Sequence, residues 1–134
     1  ATAQWETAHT FKPVKEAYWL SETWRRANLR YYPYYGRGYV QLTWKRNYQT
    51  YANILGIDLV GTPDLALRPD AALFVLVHGC KTGAFTGRRL EDFINGARTD
   101  YRRARGVING ADKWREIQTL AEAYVNELED VPAI

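Results

Sequence analysis

With one cysteine, Cys80, the 134-residue chain can close no disulfide on itself, so its stability does not depend on an oxidising compartment. Cys80 sits in the apolar run from Ala71 to Gly83 with no local base, which suits a buried thiol rather than a nucleophile. Methionine is absent, and histidine is limited to His9 and His78, far apart and without the ligand spacing of a zinc site. No metal or other cofactor is implied. No stretch approaches the roughly 20 apolar residues of a membrane span, and the N-terminus lacks the basic-then-apolar layout of a signal peptide. Synthesis in the cytoplasm without stable membrane insertion is the expectation. There is no repeat, low-complexity tract or linker, so residues 1–134 read as one domain, long enough to bury a core unaided. Because the chain opens without methionine and directly in a helical pattern, an upstream helix or segment is expected.

What is present is a globular composition, 46% hydrophobic and 25% charged, with a net charge of +3 and a pI near 9.0. That balance favours an acidic partner. The basic residues are nevertheless dispersed, and the clusters Arg25-Arg26, Arg88-Arg89 and Arg102-Arg103-Arg105 read mostly as solvated faces. No base-reading motif accompanies them, so nucleic acid is not an expected partner. Gly36-Arg37-Gly38 lacks the remaining parts of a phosphate-binding loop.

The periodicity is mainly helical. Ala1 to about His9 reads as a helix with Trp5 and Ala8 turned inward, and Pro13 marks its boundary. Tyr39-Val40-Gln41-Leu42-Thr43 alternates like a short strand after the turn residues Gly36 and Gly38, which puts Gln41 and Thr43 on one side. Helices are expected from about Thr43 to Leu55, stopped by Gly56, and from Asp70 to about Thr82, opened by Pro69. Shorter ones follow near 88–94 and 99–107. The last, about Asp112 to Leu128, carries Trp114, Ile117, Ala121, Tyr124, Val125 and Leu128 on one core-facing stripe. Asp58, Asp64 and Asp70 fit capping positions.

Aromatic residues crowd the first part of the chain. Eight of ten tyrosines and four of five tryptophans lie between Trp5 and Tyr51. Flat apolar faces with a polar handle suit stacking under sugar rings, and Tyr32, Tyr34 and Tyr39 are candidates for such a lining. The same region holds Glu6 and Glu16. Two carboxyl groups can hydrolyse a glycosidic bond when one protonates the leaving oxygen and the other activates a water. On one continuous helix Glu6 and Glu16 would be about 15 Å apart along the axis, beyond the roughly 6.5–9.5 Å of an inverting pair. A chain reversal near Pro13 is therefore expected.

Several words in register resemble the family 19 glycoside hydrolases, the chitinase family that also contains phage and bacterial endolysins. They are Trp5-Glu6-Thr7, where the family usually has histidine before the glutamate, Tyr35-Gly36-Arg37-Gly38 running into Gln41-Leu42-Thr43, Asn47-Tyr48, and Val107-Ile108-Asn109-Gly110. The stretch from Thr7 to Glu16 is like the compact linker of the endolysin branch. The resemblance implies a mainly α, lysozyme-like, two-lobed fold with one small β-hairpin and a cleft between the lobes. It implies Glu6 as general acid, in the apolar setting of Trp5 that favours a retained proton. Glu16 is then the general base, with Glu22 as its alternative, and Thr43 holds the attacking water or simply caps the next helix. Tyr35, Arg37, Gln41, Asn47, Asn109 and Arg105 become substrate-binding candidates, the two arginines also as charged links to the catalytic glutamates. The implied function is inverting hydrolysis of β-1,4 links between N-acetylated sugars by a monomer acting on cell wall. The compact linker and basic charge favour peptidoglycan over chitin, and a catalytically inactive glycan-binding module is the alternative of another class.

Overall fold

The first helix stops where a threonine side chain takes over the backbone hydrogen bonds. In the structure, a computed structural model that describes residues 1–108 and 112–129, α1 covers only Thr2–Glu6. Thr7 follows, buried at 3% exposure. Its carbonyl accepts from both the amide (3.1 Å) and the hydroxyl (2.7 Å) of Thr10, and its own hydroxyl accepts from the Phe11 amide at 2.9 Å. Local side-chain bonds of this kind compete with the helix ladder. Ala8, His9 and Phe11 are thereby held at φ of 50°, 63° and 54°. The expected helix to His9 with a break at Pro13 is thus corrected: the reversal begins directly after Glu6, and Ala8 is exposed.

Two compact units emerge, one of residues Glu6–Val77 and one of Ala1–Trp5 with His78–Ile134. In the first, β1 (Val14–Lys15) pairs antiparallel with β2 (Arg37–Gly38), Val14 opposite Gly38 and Lys15 opposite Arg37. Between them lies α2 (Glu22–Asn28), capped by the Ser21 hydroxyl, which accepts from the Trp24 amide. The strand expected over 39–43 is replaced by a tight turn. Arg37 and Leu42 exchange both backbone hydrogen bonds, at 3.2 and 3.0 Å, and Gly38 and Gln41 take left-handed φ values of 89° and 58°. Two positive φ values within four residues are incompatible with period-two alternation. A Cβ on Gly38 would stand 3.4 Å from both the Ala66 carbonyl and the Ala72 methyl, so glycine also lets the turn approach its neighbours.

Helix α3 (Lys45–Leu55) ends at Gly56, left-handed at φ 68°, as expected of a glycine after a helix. A 3-10 turn over Pro63–Leu67 precedes α4 (Pro69–Thr82), again where the prolines put it. The core of this unit is made of Tyr35, Tyr48, Tyr51, Leu42 and Leu59, with small Ala66, Ala71, Ala72 and Val75.

In the other unit, a 3-10 turn at Leu90–Asp92 leads to α5 (Tyr101–Arg105) and α6 (Trp114–Glu129). The Asp100 carboxylate caps α5 by accepting from the Arg103 amide at 3.0 Å, and the Tyr124 hydroxyl donates to Gln4 Oε1 at 2.7 Å, tying α6 to α1. The α6 stripe is only partly core. Ile117 is buried, whereas Val125 and Leu128 are 44% and 65% exposed. The protein is mainly helical, with a single small two-stranded antiparallel sheet among the described residues, consistent with a lysozyme-like fold. No described helix is long and apolar enough to cross a membrane.

Candidate active site

Glu16 leaves the end of β1 with its backbone still in register, its amide donating to the Gly36 carbonyl at 2.7 Å. The same glycine returns the contact, since the Gly36 amide donates to Glu16 Oε2 at 2.9 Å while the Tyr31 hydroxyl donates to Oε1 at 2.6 Å. Both carboxylate oxygens are therefore fixed by neutral donors, and each keeps a further lone pair. Burial, then the Glu16 carboxylate, push the Tyr31 hydroxyl up to about 12, so it remains a donor at neutral pH. Behind the carboxylate, Arg25 clamps the main chain: Nε donates to the Glu16 carbonyl at 2.9 Å and Nη2 to the Ala17 carbonyl at 3.2 Å. Arg25 is 5% exposed. The expectation of a solvated Arg25-Arg26 cluster is corrected for this member, while Arg26 is exposed.

Glu22, the alternative base, is held differently. Its carboxylate pairs with Arg25 at 3.1 Å and accepts from the Tyr35 hydroxyl at 3.1 and 3.3 Å. Partial burial would raise it, but the Tyr35 and Tyr32 hydroxyls, Lys15 and Arg25 outweigh that and lower it from its ordinary value. A carboxylate stabilised by a cation is a weaker proton acceptor. The Glu16 carboxylate, by contrast, accepts from the neutral Tyr31 hydroxyl and Gly36 amide.

Tyr35 and Arg37, expected to bind substrate, are turned inward at 0% and 4% exposure. The Arg37 guanidinium stacks 3.8 Å from the Tyr35 ring centroid and donates to the Pro33 carbonyl and the Tyr48 hydroxyl at 2.8 and 2.9 Å. Its ion pair is with Asp64 at 2.9 Å, not with Glu6 or Glu16. That overturns the expected link from Arg37 to the glutamates, and also the capping role of Asp64, which takes Lys15 at 3.2 Å as well. The aspartate expected at a cap instead anchors the buried arginine.

Gln41 spends both amide hydrogens on the carbonyls of Val14 and Gly38, at 3.1 and 3.2 Å, and its Oε1 lies where a Gly36 side chain would be, 2.7 Å from an ideal Cβ. Its donors hold the sheet and turn together instead of facing a ligand. Thr43 Oγ1 donates to the Gln41 carbonyl at 2.8 Å and makes no cap for α3, whose N-cap is Trp44 without a side-chain bond. With its hydrogen so used, the Thr43 oxygen can still accept. Asn47 Nδ2 donates to the Thr43 carbonyl at 2.7 Å. Tyr34 and Tyr39 give their hydroxyls to the carbonyls of Val60 and Phe11, at 3.2 and 3.1 Å.

Glu6, half-buried at the end of α1, belongs to the same unit as Glu16, Thr43, Gln41 and Asn47. Arg105 lies in the other unit, 4% exposed, with Nε donating to the Asp112 carbonyl at 3.1 Å. Asn109 lies outside the described residues. What sequence reasoning missed is the support layer of Tyr31, Arg25 and Asp64. The Glu22–Arg25 spacing on a helix was a usable signal; the Tyr31 and Asp64 partnerships are long-range and had none.

Non-glycine residues at left-handed φ gather beside these positions: Ala17 at 49° follows Glu16, Gln41 itself is at 58°, and Trp44 at 76° follows Thr43. Such conformations cost of order 1–3 kcal/mol each and concentrate where function demands a geometry.

The profile of the chitinase class I family, family 19 of the glycoside hydrolases, matches residues 7–76. The matched stretch contains Glu16, Glu22, Tyr35, Arg37, Gln41, Thr43 and Asn47; Glu6 directly precedes it and Arg105 follows it. Chitinase 8 of rice (Oryza sativa subsp. japonica) is 67% identical over 33 residues, 25% of this chain and 13% of that protein. Rice Chitinase 11 is 64% identical over 33 residues, with the same coverage of 25% and 13%. The aligned stretch thus spans only a small part of either relative. With the family profile covering more than half of its length, the chain belongs to the family 19 glycoside hydrolases.

Proposed function

We propose that the protein hydrolyses β-1,4 bonds between N-acetylated sugars of peptidoglycan by single displacement with inversion, Glu6 as acid and Glu16 as base. Residues 1–134 act as one catalytic domain and as a monomer, without a metal or other cofactor. The observation that carries the reading is the fixed Glu16 carboxylate, held at 2.6 and 2.9 Å by Tyr31 and Gly36 inside the family-matched stretch. A water donating one hydrogen to Glu16 and the other to the Thr43 oxygen points a lone pair at the anomeric carbon. As it attacks, its proton passes to Glu16, the glycosidic bond breaks, and the Glu6 proton goes to the leaving oxygen. Solvent then restores both carboxyl groups. Asn47, Arg105 and Asn109 remain our candidates for sugar contacts, while Tyr35, Arg37 and Gln41 support the site from beneath.

The basic charge of +3 suits an acidic wall polymer and supports our reading that the protein works at the cell wall, periplasmic or extracellular. Chitin is the second reading, favoured by the names of the two rice relatives. Side-by-side digestion of purified peptidoglycan and colloidal chitin, with mass spectrometry of the new reducing ends, tests both. Muropeptides with new reducing ends support the first reading and chitooligosaccharides the second. Binding to either polymer without release of reducing ends would leave a glycan-binding module in place of an enzyme.

A further inference from the structure

Trp19 is 71% exposed, the highest value among the large hydrophobic side chains of the described residues, and the neighbouring Tyr18 is 59% exposed. The two rings meet edge to face, 5.2 Å between centroids at 86°, so they present one joint apolar surface to solvent. Leaving so much aromatic surface in water forgoes burial energy and marks a binding face. The loop beneath is tied down by hydrogen bonds. Ala17 sits at φ 49°, the Leu20 amide closes the turn on the Ala17 carbonyl at 2.9 Å, and the buried Arg25 guanidinium holds the Glu16 and Ala17 carbonyls from inside. One arginine thus positions both the Glu16 backbone and the aromatic pair. Chain connectivity keeps the Trp19 Cα within about 11 Å of the Glu16 Cα, a span that a short glycan segment can bridge.

We infer that Tyr18 and Trp19 form a stacking subsite for a pyranose ring of the glycan strand that reaches Glu16, an inference resting on the reading of Glu16 as the base. The axial C–H face of an N-acetylated sugar packs on the indole, and its polar edge stays in water. Because the platform is held in place before ligand arrives, little ordering cost is left to binding.

The test compares wild type, Trp19→Ala and Trp19→Phe on N-acetylglucosamine hexasaccharide, by hydrolysis kinetics and by tryptophan-fluorescence titration. Trp19→Ala is expected to raise KM about tenfold with kcat within about threefold, and Trp19→Phe to recover most of the loss, because ring stacking contributes to binding rather than to proton transfer. Unchanged KM and an unchanged titration curve in Trp19→Ala would overturn the subsite while leaving the hydrolase reading intact. If wild type leaves the hexasaccharide intact, only the chitin reading fails and the titration decides the subsite: saccharide binding lost in Trp19→Ala supports the platform, and binding absent from wild type overturns it.

Discussion

Glu16→Gln is expected to lower kcat by about 10³-fold without disturbing the fold, in line with the 10²–10⁴ that a positioned general base contributes. The side chain keeps its shape and its hydrogen bonds. The amide oxygen can accept from the Gly36 amide in place of Oε2, and the new NH₂ can donate to Tyr31, whose hydroxyl is free to turn. What is lost is the capacity to take a proton from water. Glu6→Gln should cost as much on natural glycan, but for another reason, and a second substrate separates them. An aryl glycoside with an acidic leaving group departs with little protonation, so Glu6→Gln is expected to regain most of its activity there and Glu16→Gln almost none. Steady-state kinetics on the two substrates read this directly. A fully active Glu16→Gln would transfer the role of base to Glu22, which the same measurement on Glu22→Gln would reveal.

Arg37→Met is expected to destabilise the protein by about 2–4 kcal/mol, or roughly 10 °C in Tm. The magnitude follows from what is stranded. The Pro33 carbonyl and the Tyr48 hydroxyl oxygen lose a buried donor, and the stack on Tyr35 at 3.8 Å is lost. Asp64, with its side chain 56% exposed, can turn to water and adds little. The matching change at Arg68, whose pair with Asp70 has side chains 50% and 66% exposed, is expected to cost below about 1 kcal/mol. A pH series adds a second readout. Burial alone would raise Asp64, but Lys15 and Arg37 prevail and hold it below its ordinary 3.8. A depressed carboxyl contributes stability that is complete above its unfolded value and disappears as pH falls through the folded one. Wild type should therefore lose stability below about pH 4, and Arg37→Met should show a shallower acid limb in thermal unfolding. Equal losses at Arg37 and Arg68 would contradict this account of the buried arginine.

The elements that could be read from sequence are those with hard punctuation. Gly56 ends α3 and Pro69 opens α4 because each residue has a backbone restriction that no tertiary contact need supply. The end of α1 could not be read, since a buried threonine hydroxyl decides it and burial is a property of the folded chain. The 39–43 strand failed because alternation of side-chain type says nothing of φ, and Gln41 is left-handed. Glu16 became a candidate through family resemblance, whereas the Tyr31 hydroxyl that fixes its carboxylate comes from 15 residues downstream. Tyr35 and Arg37 occupy a matched word, yet both are buried, with Glu22 and Asp64 as their acidic partners.

The central claim is a single displacement in which Glu16 activates water on the face opposite the leaving group. Proton NMR of the first-formed reducing ends, recorded before mutarotation, tests it most directly. The account predicts the α-anomer from a β-linked oligosaccharide; initial release of the β-anomer would contradict it.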